Sequence, residues 1–270
     1  MEVKSFSDVL FNPVAQAKFV HTVSAGYVTG AVFVLAISAY YLLRNRNIEI
    51  CRRSMTVAAA FGLAASLSVV VLGDESGYLV NENQKMKIAA MEGMWETEAA
   101  PASFNLFGVP DQKNHITKYT IKVPYVLGLI ATRSFNEPLL GINDLVANNK
   151  GRIQDGIKAY AALQQLQKNP QNKIAEDELN EHVKNLGYSL LLKRYTDNVV
   201  DATPEQIDAA AWNTVPNVAS LFWSFRVMVA CGMFFIFLFV TAFYLSIKQR
   251  FNIRSFLWMA FLSLPLPWIA

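Results

Sequence analysis

The chain has 270 residues, 53% hydrophobic and 17% charged, with a formal net charge of +3. An average soluble domain is nearer one quarter charged, so the shortfall argues against a nucleic-acid binder, a disordered tail or a disulfide scaffold, and +3 is too weak a field to hold phosphates. Residues 19–43, 54–73 and 227–247 contain no Asp, Glu, Lys or Arg, and each run is about as long as the roughly 20 apolar residues that cross a bilayer. A fourth uncharged run, 255–270, reaches the last residue. The fold class expected is an all-α polytopic membrane protein, with three full transmembrane helices plus a truncated fourth and a large α+β loop insertion on the outer side. Residues 1–73 carry two spans behind an outer N-terminal tail, 74–218 the insertion, and 219–270 one span and the cut-off fourth.

The first apolar run is too long for a signal peptide and lacks a small-residue cleavage site. It holds His21 near its outer end, just after Lys18, and Gly26-Tyr-Val-Thr-Gly30, a small-xxx-small pattern that lets helix backbones approach. The next loop carries Arg44, Arg46, Arg52 and Arg53, and the loop after the third run carries Lys248, Arg250 and Arg254. Short basic loops stay cytoplasmic, and two crossings separate these loops, so charge and parity agree. The insertion and the N-terminus then lie outside. Cys51 and Cys231 are not expected to meet, and no C-x-x-C metal spacing exists. The second run is rich in Ala, Gly and Ser, whereas the Phe-rich third reads as more lipid-facing.

Asp74-Glu75-Ser76-Gly77 closes the second run, as a polar stop or as a pair of carboxylates that handle protons. Residues 81–98 read as an amphipathic helix with Ile88, Met91 and Trp95 on one stripe. Residues 103–123 read as a hairpin turning at Pro110-Asp111, and 142–168 and 175–195 as helices separated by a loop at Pro170. Thr203-Pro204-Glu205-Gln206 fits a capped helix start. The insertion reads as a cap on the bundle rather than an independent catalytic domain. His115 and His182 lie in polar stretches and are expected to be exposed. Pro265 and Pro267 should break a helix ladder.

Intramembrane ionisable residues mark functional sites more often than not. His21 and Met228 fall at similar depth on the outer side of their spans, where an imidazole and a thioether can be the two axial ligands of a low-spin haem, a pair that raises its potential. Arg226 can neutralise a propionate. The plainer readings are an interfacial hydrogen-bonded histidine, a core methionine, and snorkelling anchors at Arg226 and Lys18. In the insertion, Lys85, Lys87 and Glu92 border the Met91/Trp95 stripe. A carboxylate beside apolar surface can accept a substrate proton near neutral pH, and an ammonium can hydrogen-bond a carbonyl or phenolic oxygen. The plain alternative is a solvated helix face.

Eight stretches resemble subunit I of the cytochrome bd ubiquinol oxidases, in order along the whole chain: Asn12-Pro-Val-Ala-Gln-Ala-Lys-Phe-Val-His21 through Gly30, Gly73-Asp-Glu-Ser-Gly77, Ala90-Met-Glu-Gly-Met-Trp-Glu-Thr97, Leu106-Phe-Gly-Val-Pro-Asp111, Tyr125 through Ser134, Leu186 through Tyr195, Phe225-Arg-Val-Met-Val-Ala-Cys-Gly232 and Leu264-Pro-Leu-Pro-Trp-Ile-Ala270. The length of the insertion resembles the long-loop branch of the family. The resemblance implies that His21 and Met228 ligate the iron of a low-spin haem b and that Arg226 stabilises that haem. It also implies that 74–218 is a periplasmic quinol-binding loop in which Lys87 and Glu92 serve ubiquinol binding and oxidation. Electrons would pass on to a high-spin haem b and haem d, with water formed from cytoplasmic protons and no pumping. The resemblance places the chain in the bacterial inner membrane. Its partners would be the remainder of subunit I, subunit II, a small single-helix subunit, quinol and the lipid bilayer, and no nucleic acid. The resemblance covers about the middle half of the subunit. Four N-terminal helices, with a haem d ligand and proton-channel carboxylates, have no counterpart here, and the glutamate ligand of the high-spin haem would follow the final Pro-Trp-Ile-Ala. The expectation is therefore an internal fragment, from a split or truncated gene, that carries the electron-input part and is inactive alone. A competing expectation, of another class, is a cofactor-free membrane protein with a periplasmic sensing or scaffolding domain.

Overall fold

The computed structural model describes residues 5–270. In chain order its helices are α1 (Phe6–Leu10), α2 (Pro13–Leu43), α3 (Ile48–Asn83), α4 (Lys85–Glu92), α5 (Val126–Ala131), α6 (Ile142–Lys168), α7 (Lys173–His182), α8 (Leu186–Ser189), α9 (Pro204–Trp212), α10 (Val218–Ile247), α11 (Arg254–Leu262) and α12 (Leu266–Ile269). Strands β1 (Phe104–Asp111) and β2 (Ile116–Val123) lie between α4 and α5. Two compact units result, one from residues up to Asn83 together with Trp223–Ala270, the other from Gln84–Phe222.

In the first unit, α2 starts where its sequence says it should. The Asn12 carboxamide oxygen accepts the amides of Val14 (2.9 Å) and Ala15 (3.3 Å), and Pro13 opens the helix where no N–H is needed. Its buried seam is Val28, Val32, Leu35, Ala39 and Leu42, spaced alternately by four and three residues. That spacing keeps one stripe facing a neighbour, and the neighbour is α3, through Met55, Ala58, Ala59 and Ala65. From Trp223 onward, α10 adds Phe235, Leu238, Phe239, Ala242 and Leu245 to the same core. A Cβ at Gly62 of α3 would fall inside the Phe239 ring, so only glycine admits that phenyl group. At the other end of α3 the Arg52 guanidinium lies 5.6 Å from the ring centroid of Phe251, just past α10. These two contacts fix α3 and α10 as antiparallel, and they bring the two basic loops to one end of the unit.

Three helices, Pro13–Leu43, Ile48–Asn83 and Val218–Ile247, are long and apolar enough to cross a membrane. The third is the least buried, 22% of its most apolar stretch against 44% and 33%, which agrees with its lipid-facing reading. The small-xxx-small pattern works differently from expectation: nothing lies within 4 Å of a Cβ at Gly26 or Gly30, and the close approach is at Gly62 instead. Nor does Asp74-Glu75 stop the helix, since α3 runs unbroken to Asn83. A polar pair ends an apolar run without costing a helix any backbone hydrogen bond. Pro265 does interrupt the ladder, separating α11 from the short α12.

The second unit packs α6 against α4, α8 and α9 around Ile142, Val146, Ile153, Leu192, Ala210 and Ala211. The α9 start carries the full capping box, Thr203 N–H to Gln206 Oε1 at 2.9 Å and Gln206 N–H to Thr203 Oγ1 at 3.3 Å. The hairpin pairs as an antiparallel ladder, Asn105 opposite Lys122 and Asp111 opposite Ile116, with irregularities on either side of Phe107. Its turn lies beyond Pro110-Asp111, which belong to β1. Two predicted helices are cut short. The helix expected over 81–98 is divided between the last turn of α3, which ends at Asn83, and α4, which Gly93 ends with a left-handed φ of 60°. The helix expected over 175–195 is α7 followed by 3-10 turns at Val183–Asn185 and Leu190–Arg194 around α8.

Candidate functional site

The first cluster belongs to the spans. His21 on α2 rests on α3, where a Cβ at Gly73 would lie 3.4 Å from its Cε1. Its Nδ1 is buried and has no hydrogen-bond partner among the described residues. Such an orphan is rare in a folded protein. Met228 is located by register. Gly73 lies eleven residues from Gly62 along α3, away from the basic loops, and Met228 lies eleven residues from Phe239 along antiparallel α10 in the same direction. Eleven residues are about 16 Å of helix and about 20° beyond three full turns. Met228 therefore stands at the depth of Gly73, the floor beneath His21, and each lies on the helix face that carries the Gly62–Phe239 contact. The Met228 side chain is 38% exposed, whereas Arg226 is 8% exposed with its guanidinium 6.0 Å from the Phe225 ring centroid.

The second cluster belongs to the second unit, and there the two residues expected to act together separate. Lys87 lines an open groove of about 750 Å³ with Gln84, Met86, Asn149, Lys184, Tyr188, Thr214 and Leu221. Asn149 donates to the Thr214 hydroxyl at 2.9 Å, which fixes the polar floor. Among the described residues no carboxylate lines the groove, so its two ammonium groups share it with neutral polar and apolar side chains. Glu92 is not part of that lining. It is 2% exposed, and its Oε2 accepts the Asn105 backbone N–H at 3.2 Å. The Glu92 carbonyl in turn accepts the Asn105 side-chain amide at 2.7 Å. Five residues along α4 rotate a side chain by about 140°, so Lys87 and Glu92 leave the helix on different faces.

Two arrangements escaped the sequence. His115, expected in solvent, is stacked between two indoles, 5.2 Å from Trp95 and 4.1 Å from Trp212 by ring centroid. The Trp95 indole N–H donates to Thr117 Oγ1 (3.2 Å), and that hydroxyl donates to the Gly93 carbonyl (2.6 Å), so the hairpin is tied to the end of α4. His182, also expected in solvent, has its Nδ1 2.6 Å from Asp155 Oδ1. Asn185 donates to the other oxygen of Asp155 at 2.6 Å, and this bond first, then His182, holds the carboxyl below the usual range. Asp111 is likewise held low, by Lys118 (2.8 Å) and Asn114. None of these partners is close in sequence period to its mate except Asn114, which is why local pattern gave no signal.

Comparison with known proteins covers the chain from end to end. The family model for cytochrome bd terminal oxidase subunit I matches residues 1–270. Subunit 1 of the cytochrome bd-II ubiquinol oxidase of Escherichia coli is 41% identical over 271 aligned positions, which cover 100% of this chain and 53% of that protein. Subunit 1 of the cytochrome bd ubiquinol oxidase of Bacillus subtilis is 34% identical over 146 positions, 54% of this chain and 31% of the relative. Among solved structures, the bd oxidase from Geobacillus thermodenitrificans superposes with a TM-score of 0.65 at 19% identity, covering 97% of this chain and 45% of that one, a likeness of fold. The chain thus spans about half the length of the curated relative that it matches throughout.

Proposed function

The chain belongs to the cytochrome bd terminal oxidase subunit I family, and from that premise we propose that it is the quinol-oxidising, low-spin haem b-binding part of a bd-type oxidase of the bacterial inner membrane. The observation that carries the reading is the span cluster: a buried imidazole nitrogen without a partner, seated on a bare glycine, at the depth and on the seam of a methionine from the antiparallel helix. That donor set, one imidazole and one thioether, fits a six-coordinate low-spin haem. His21 and Met228 would hold the haem through imidazole nitrogen and thioether sulfur, and Arg226 would supply a charge for a propionate. A haem held there supplies a one-electron carrier whose potential the thioether raises.

The rest of the reaction falls to the second unit, read as periplasmic. Oxidising a quinol releases two electrons and two protons. The Lys87 ammonium donates a hydrogen bond to a quinol oxygen in the groove, against the apolar surfaces of Met86 and Leu221. Glu92, buried on another face of α4 where it accepts the Asn105 N–H, takes one of the two protons by relay rather than from the quinol directly and passes it to the outer side, and the other proton leaves to water at the open groove. The high-spin haem b, haem d, the site of oxygen reduction, subunit II and a small single-helix subunit lie in the remainder of the complex. The family relatives named for ubiquinol support ubiquinol as the substrate here.

The test is a visible difference spectrum of the membrane-inserted protein. Sharp reduced-minus-oxidised b-type bands, lost in His21→Ala and in Met228→Leu, are expected. A correctly inserted protein without such bands returns the cofactor-free scaffolding reading.

A further inference from the structure

We infer that Asn105 is the positioning residue of the Glu92 proton acceptor, an assignment that rests on the reading of Glu92 above. Asn105 grips Glu92 twice, from backbone and from side chain. Its N–H points at the carboxylate and its carboxamide N–H at the Glu92 carbonyl. Glu92 is the last residue of α4, so its carbonyl is one of the four that a helix end leaves without a partner. Asn105 therefore caps the helix and aims the carboxylate with one residue. Both residues are buried, at 4% and 2% exposure, where an unmade hydrogen bond is costly and a made one is rigid.

The location explains how a strand residue reaches this point. Asn105 is the second residue of β1, and the ladder is irregular between it and Phe107, which re-aims the strand just beyond it. Besides Glu92, the charged and titratable side chains on the elements that carry the pair are Lys85 and Lys87 on α4, and Asp111, Lys113, His115, Lys118, Tyr119 and Lys122 on the hairpin. Of the strand cations, Lys118 is bonded to Asp111 and Lys122 to Glu98 (3.1 Å). Asn105 touches the acceptor rather than the quinol, and its action is to fix where and at what proton affinity Glu92 stands.

The experiment uses the intact homologous oxidase carrying this segment, assayed with a short-chain ubiquinol, with the haem spectrum recorded for every variant. Asn105→Ala removes one of the two bonds and is expected to lower kcat about tenfold, with KM within about twofold. Asn105→Asp keeps the shape, replaces the donor to the Glu92 carbonyl with an acceptor and sets a carboxylate beside Glu92. Repulsion raises the proton affinity of Glu92, so the acid limb of the kcat profile should move to higher pH by about one unit. A structural defect alone would lower turnover without moving that limb, and the Asp variant carries the test where the Ala variant fails to assemble. Glu92→Gln, run in parallel, separates the two claims. Parent-level turnover in Glu92→Gln removes the acceptor role and the assignment with it. An inactive Glu92→Gln beside Asn105 variants of unchanged kcat and unchanged pH profile overturns the assignment alone.

Discussion

At Gly73 the floor under the His21 imidazole is helix backbone. A Cβ there would sit 3.4 Å from His21 Cε1, ordinary van der Waals contact, so Gly73→Ala should keep the reduced b-type absorbance within about twofold of parent. A branched side chain reaches further, and Gly73→Val should displace the ring and remove most of that absorbance while far-ultraviolet helix content stays constant. Full absorbance in the Val variant would show that the imidazole does not need this seat. His21, Met228 and Arg226 could be picked from the sequence because a polar or sulfur side chain stands out in an apolar run. Gly73 could not, since it is one small residue among many in the second span, and only the ring lying on it sets it apart. For Glu92 the same loss applies: the sequence shows a carboxylate beside apolar residues, but its partner Asn105 arrives from a strand. In an intact homologue, Glu92→Ala is expected to cut quinol oxidation at least tenfold with a nearly unchanged haem spectrum; unchanged turnover would end its role as acceptor.

Among the elements, helix ends decide more than helix interiors. The α4 stop rests on Gly93, whose φ of 60° costs a side-chain-bearing residue about 1–2 kcal/mol. An added Cβ would also press on Thr117 Oγ1 at 2.9 Å. Gly93→Ala should therefore destabilise the second unit by about 1–3 kcal/mol, visible as faster native-state proteolysis between α4 and β1. The periodicity of 81–98 looked helical throughout because Ile88, Met91 and Trp95 keep helical spacing whether or not the chain turns at Gly93. The break at 183–194 was hidden for a similar reason, since 3-10 turns use the same residues as α-helix. Where α6 meets α7, Asp155 links His182 and Asn185. Because the Asp155 carboxyl is held below its ordinary value, its contribution is present above about pH 4 and is lost as pH falls through the lowered value. Asp155→Asn should flatten that acid-side loss in a melting series; an identical slope in both proteins would remove Asp155 as its origin.

For the whole molecule, topology was the most legible property. Charge placement and crossing parity put both basic loops on one side, and the Arg52–Phe251 contact joins them at one end of the spanning unit. The reading that the insertion is periplasmic makes a direct prediction: a reporter fused at Lys150 should register the periplasm, and a cytoplasmic signal would invert the scheme. What the sequence did not show was the division of labour within the insertion. Lys87 and Glu92 are five residues apart, and nearness along the chain suggested one pocket. Helical rotation sends them to different faces, the first into the groove and the second into the α4–β1 joint.

The imidazole held between Trp95 and Trp212 has an optical consequence. Indole emission is quenched by a stacked imidazole, so two of the five tryptophans report on whether the hairpin is seated. Any ligand that lifts the hairpin from the end of α4 should brighten the fluorescence, and His115→Leu should brighten it permanently. The second unit thus carries its own reporter, and the seating of the hairpin can be followed by stopped flow without attaching a dye.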